Sequence, residues 1–75
     1  MEQKENRLTL AKLRERAGVT QRTLAAALGV TVTTISSWER GAKQPRPSLP
    51  QVKIMTEVLQ CTLDELVEAT TPRSQ

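Results

Sequence analysis

Three residues, Gly29-Val30-Thr31, separate two stretches of helical apolar spacing, and that shortness constrains the fold more than any other feature of the chain. Before the link, Leu24, Ala25 and Leu28 share one face of a helix expected over residues 21–28, with Thr20 as its cap. After it, Ile35 and Trp38 share a face of a second helix, expected from residue 32 to about residue 39 and capped by Thr31. A turn this short sets the two helices at a steep angle and leaves no room for an antiparallel hairpin. Gly29 supplies the left-handed backbone the turn needs, and the small Ala25 sits where the crossed helices come closest.

The remaining elements follow from the same spacing rules. Leu10, Leu13 and Ala17 define a first helix from about residue 6 to residue 17, ended by Gly18. Residues 40–47, RGAKQPRP, form a basic loop rich in helix breakers. Ser48, with Pro50 in the first turn and Gln51 reaching back, opens a fourth helix to about residue 59. Val52, Met55 and Leu59 are expected to face inward there, with Ile54 and Val58 alongside. Thr62-Leu63-Asp64-Glu65 is a second capping box, opening a short fifth helix to about residue 69 that contributes Leu63, Leu66 and Val67. The expected fold is all-α: a bundle of about five short helices forming one domain over residues 1–75, with its core between about 6 and 69 and frayed termini.

Composition narrows the function. Trp38 is the sole aromatic, so Leu, Val, Ile, Ala and Met build the core, and Trp38 is expected within it. The net charge is +3, unevenly spread: residues 1–50 carry nine basic and four acidic residues, residues 51–75 two basic and four acidic. A polyanion would dock on the basic N-terminal two-thirds. The chain has no histidine and one cysteine, Cys61, expected to fill a helix junction. No nucleophile–base pair, metal-ligand cluster or cofactor motif is present, so an enzyme is not expected, and neither a metal nor a cofactor is implied. A lone cysteine without a disulfide, and no apolar run suited to a signal peptide or membrane span, point to the cytoplasm.

The stretch Gln21 to Arg40 carries the functional signal. Apolar Val30, Ile35 and Trp38 pin the helix after the turn, whose outward positions Thr33, Thr34, Ser36 and Ser37 are all small and hydroxylated. Such a face can lie deep in a DNA major groove, because nothing bulky or acidic keeps it out.

These residues resemble the phage repressor and Cro type (XRE) helix-turn-helix family, whose members are lambda-repressor-like bundles of about five helices. The resemblance rests on Leu13-Arg14, Thr20-Gln21, Leu24-Ala25, Leu28-Gly29-Val30-Thr31, Ile35-Ser36, Trp38-Glu39-Arg40-Gly41, Pro45 and Leu63-Asp64-Glu65-Leu66, spanning residues 8–68 without a gap. It implies a sequence-specific regulator of transcription, a repressor, with the helix from Val32 to Glu39 in the major groove. Val32, Thr33 and Ser37 match base-reading positions, while Gln21, Thr31, Thr34, Ser36, Arg40, Lys43 and Arg46 match positions on or beside the DNA backbone. Arg14 and Glu39 match a structural ion pair between the first helix and the end of the recognition helix. Where many relatives carry Gln, Asn or Arg, this chain has Val32, Thr33 and Ser37, none of which can hold adenine or guanine by two hydrogen bonds.

The resemblance also implies duplex DNA with a palindromic operator as partner, and a homodimer spanning half-sites about 34 Å apart. The expected dimer surface is an exposed subset of Leu63, Leu66 and Val67 with the preceding loop. Two alternatives share the fold, an antitoxin-like autoregulator with a second protein partner and a protein-docking module. The basic N-terminal half argues against the latter.

Overall fold

The computed structural model describes residues 8–71, which form five α-helices. They are α1 (Leu10–Ala17), α2 (Gln21–Leu28), α3 (Val32–Arg40), α4 (Leu49–Val58) and α5 (Leu63–Thr70). Each begins where a hydroxyl replaces a missing backbone acceptor. The side chains of Thr9, Thr20, Thr31, Ser48 and Thr62 accept from the backbone N–H three residues on. At Ser48 and Thr62 the third residue answers, Gln51 and Glu65 accepting from the cap's own N–H.

The turn between α2 and α3 closes as its length requires. Gly29 sits at φ 73°, in the left-handed region, and its N–H donates to Ala26 O at 3.3 Å. The Val30 N–H donates to Ala25 O at 3.0 Å, so the last carbonyls of α2 are satisfied while the chain turns. A substituted β-carbon would meet no neighbour at Gly29, so its requirement is the backbone angle and not space.

The core is a single cluster of Leu10, Leu13, Leu24, Ala25, Leu28, Ile35, Met55, Leu59 and Leu66. Val30, Trp38, Val52, Ile54, Val58 and Cys61 pack against it while keeping partial exposure. α2 packs on α3 and α4, α1 on α3 and α5, and α4 on α5. α3 thus rests on two helices along one side and leaves its other side to solvent. Burial, the first cause, and the nearby Glu65 carboxylate raise the Cys61 pKa, which makes its thiol less reactive than an open one.

Two sequence expectations need correction here. α1 starts at Leu10 and not near residue 6, because the Thr9 hydroxyl accepts from Lys12 N at 3.1 Å and ends the helix there; Asn6 itself lies outside the described residues. Of the three apolar residues assigned to α5, only Leu66 enters the core, at 3% exposure; Leu63 and Val67 are 57% and 53% exposed. Leu66 therefore leaves the proposed dimer surface. α5 presents a single stripe to α1 and α4, and Leu63 and Val67 fall beside that stripe.

Gln51 joins elements that local patterning treats as separate. Its Oε1 accepts from Ser48 N at 2.8 Å, and its Nε2 donates to Leu28 O, at the end of α2, at 2.9 Å. One side chain thereby ties the start of α4 to the helix-joining turn. Gln51→Glu keeps the capping acceptor but sets a carboxylate oxygen against the Leu28 carbonyl. The expected loss is about 1–3 kcal/mol in chemical denaturation. A gain in stability, as helix-dipole complementarity alone would give, would contradict this role.

Arg16 and Glu65 close α1 onto α5 through paired contacts of 2.9 and 3.2 Å, while Thr62 N adds a third hydrogen bond to the same carboxylate. The Arg16 hydrogen bond first, then the Thr62 N–H, hold Glu65 below the usual carboxylate range. A carboxylate whose folded-state pKa is depressed stabilises the fold fully above its unfolded value, and that contribution disappears as pH falls through the lower, folded value. Thermal melting should therefore be flat in this respect from neutrality to about pH 5 and decline below about pH 4. Glu65→Gln should flatten that acid limb, and an unchanged limb would show that other groups control it.

Candidate nucleic-acid interface

The outer side of α3 is hydroxyl-rich and free of unpaired negative charge. Thr31 and Thr33 are exposed, Val32 is 41% exposed, and Thr34 and Ser36 are half-buried. The hydroxyls of Thr31 and Thr34 lie 2.9 Å apart, and Thr31 also accepts from Thr34 N, so this pair fixes the start of the helix. Arg40 is exposed at the far end.

The one carboxylate of α3, Glu39, is turned inward. Arg14 Nε donates to Glu39 Oε2 at 2.6 Å and Arg14 Nη2 to Oε1 at 3.3 Å, with both side chains mostly buried, at 14% and 9% exposure. Gln21 Nε2 donates to the same Oε1 at 2.9 Å, and Arg14 Nη1 donates to Val19 O at 2.9 Å. Three donors converge on a single carboxylate and bring α1, the start of α2 and the end of α3 to one point. The Glu39 hydrogen bond raises the Arg14 pKa, so this guanidinium keeps its charge throughout the working range.

Gln21 lies where that network meets the surface. With Arg14, Val19, Thr20 and Arg22 it borders an open cleft between the end of α1 and the start of α2, which Val32 of α3 also lines. The resemblance gives this position two roles, phosphate contact and buttressing of the recognition helix, and the second is made here through Glu39. Past the end of α3, Lys43 and Arg46 are both exposed on the loop 41–47. Gln44 Nε2 donates to Thr70 O, at the end of α5, which anchors the loop between the two cations.

Ser37 differs from its expected placement on the outward face. It is only 8% exposed, the sole buried polar residue among those described. Two features cover it. The chain after Gly41 curls back, so that Ala42 N and Lys43 N both donate to Ser37 O, and Arg40 Nη2 lies 3.4 Å from the Ser37 hydroxyl. Helical periodicity reports neither effect, because one comes from a returning loop and the other from a neighbouring side chain.

Sequence reasoning missed one participant, the Val19 carbonyl, which accepts from Arg14 Nη1 as a main-chain group without a residue-type signal. Among the described residues, no group of three or more His, Cys, Asp or Glu side chains could hold a metal ion, and no helix is long and apolar enough to cross a membrane.

A protein-family model described as helix-turn-helix matches residues 10–66, from the first residue of α1 to the buried Leu66 of α5. No curated protein matches the chain.

Proposed function

The chain belongs to the XRE-type helix-turn-helix family of DNA-binding regulators, and from that premise we propose that it is a sequence-specific repressor that sets α3 into the major groove of duplex DNA. One observation carries this reading: the outer side of α3 offers hydroxyls and methyls with no free carboxylate, since Glu39 is held inward by Arg14 and Gln21. In this arrangement Val32 and Thr33 meet base edges, where their methyl groups suit thymine and the Thr33 hydroxyl donates or accepts. Ser37 joins them once Arg40 moves off its hydroxyl. Gln21, Thr31, Thr34 and Ser36 lie along the flanking backbone, and Lys43 and Arg46 grip the phosphates beyond the helix.

The whole chain, residues 1–75, acts as one such domain, and its place of work is the cytoplasmic nucleoid. Repression then follows where the occupied site overlaps a promoter, because the bound protein and polymerase compete for the same groove. One domain meets a short half-site, so two copies pair across a palindromic operator. Leu63 and Val67, exposed four residues apart on α5, supply the apolar patch for that pairing.

Selection from a pool of random duplexes at two salt concentrations tests the proposal. A short palindromic sequence should be enriched, with affinity falling steeply as salt rises. Lys43→Ala should weaken all sequences alike and reduce the salt slope by about one. No enrichment together with salt-insensitive binding would move the function to protein docking, with the fold kept as a scaffold.

A further inference from the structure

Arg40 ends α3 seven residues after Thr33 and four after Ser36, so the three positions lie on one side of the helix. Its side chain leans back toward the start of the helix along that side. Arg40 Nε lies 3.4 Å from the Ser36 hydroxyl and Nη2 lies 3.4 Å from that of Ser37. The guanidinium therefore rests over the hydroxyl face itself.

Two further facts separate it from the other cations. The adjacent carboxylate, Glu39, is already held by Arg14 and Gln21, and among the described residues Arg40 has no ion pair. Val32, Thr33 and Ser37 offer no forked donor, so Arg40 is the one side chain on this face able to give two parallel hydrogen bonds to a base. Both serine contacts are long, which aims the guanidinium without locking it.

We infer that Arg40 is a specificity-determining residue, which takes the O6 and N7 acceptors of a guanine in the major groove. The inference rests on the docking of α3 proposed above, and it replaces the backbone contact that the family resemblance implies for this position. Ser36 and Ser37 position the guanidinium in the free protein. Extension of Arg40 to the base removes one of the two covers over Ser37 and frees its hydroxyl from the guanidinium.

The test compares the wild-type chain with Arg40→Lys, which keeps the charge but loses the fork, and Arg40→Ala, all selected on the same random duplex pool. Thermal melting first verifies that each variant is folded. The expected result is a guanine in each half-site that the wild type enriches and both variants lose, with preferences elsewhere unchanged. On the selected duplex, replacing that guanine by adenine should weaken the wild type about ten-fold or more and Arg40→Ala less than about three-fold. Uniform weakening of Arg40→Ala across all sequences, with the same preferred bases, would assign Arg40 to phosphate and overturn the inference. So would a wild-type site lacking such a guanine. If the wild type enriches no sequence and shows no salt-sensitive binding, the docking of α3 itself fails, and the assignment of Arg40 falls with it.

Discussion

Thr33→Asp is expected to reduce affinity for duplex DNA by about 100-fold or more while leaving the fold as stable as before or slightly more so. Thr33 is exposed in the first turn of α3 and makes no hydrogen bond through its side chain among the described contacts. A carboxylate in the first turn complements the helix dipole, contributing about 0.3–1 kcal/mol. The same carboxylate faces phosphates and base acceptors once α3 enters the groove, and like charges brought together at an interface oppose binding by several kcal/mol. At about 1.4 kcal/mol per decade this corresponds to two or more decades of affinity. Melting temperature and binding isotherm therefore move in opposite directions. Unchanged binding by Thr33→Asp would remove α3 from the interface.

The largest effect on stability is expected at Glu39. Glu39→Ala leaves the Arg14 guanidinium mostly buried without its carboxylate and strands the Gln21 amide as well. Removing one partner of a buried pair costs about 3–5 kcal/mol. Small domains have about 5–15 kcal/mol in all, so the variant should be marginal at room temperature. Each kcal/mol should lower Tm by about 4–8 °C in a domain of this size. The double variant Arg14→Met, Glu39→Leu removes both charges and should be much the milder of the two, which separates the stranded charge from lost packing. A loss below about 1 kcal/mol for Glu39→Ala would place the pair among ordinary surface ion pairs.

The five helices were legible because each begins on a local chemical signal. Ser48 with Gln51 and Thr62 with Glu65 announce their helices by spacing alone, and Gly18, Gly29 and Gly41 mark where the backbone turns. The start of α1 was obscure for the converse reason. Thr9 has neither a Glu or Gln three residues later, as Ser48 and Thr62 have, nor a glycine turn two residues before it, as Thr20 and Thr31 have, so apolar spacing alone sets the boundary. Within α5, Leu63, Leu66 and Val67 fit the same helical stripe equally well. Only the placement of α1 and α4 decides that Leu66 is covered and the other two are not.

The candidate site divides in the same way. The hydroxyl face of α3 and the cations of loop 41–47 lie in one stretch of sequence and can be read there. Arg14 and Glu39 are 25 positions apart and Gln21 and Glu39 are 18 apart, distances at which no periodicity speaks, and the first pairing entered only through family resemblance. A helical wheel puts Ser37 on the outward face because it knows nothing of side chains that fold over their neighbours. Its cover, Arg40, is the residue on which base selectivity is now expected to turn.

The central claim, that α3 enters the groove, is tested most directly by following the backbone amides of isotope-labelled protein as duplex DNA is added. The duplex is one taken from selection, or a random one if none is enriched. The largest shifts should fall on Gln21, Thr31 to Ser37, Arg40, Lys43 and Arg46, while Leu49 and the core-facing residues of α4 change little. Shifts concentrated on α4 and α5 with α3 unmoved would contradict it.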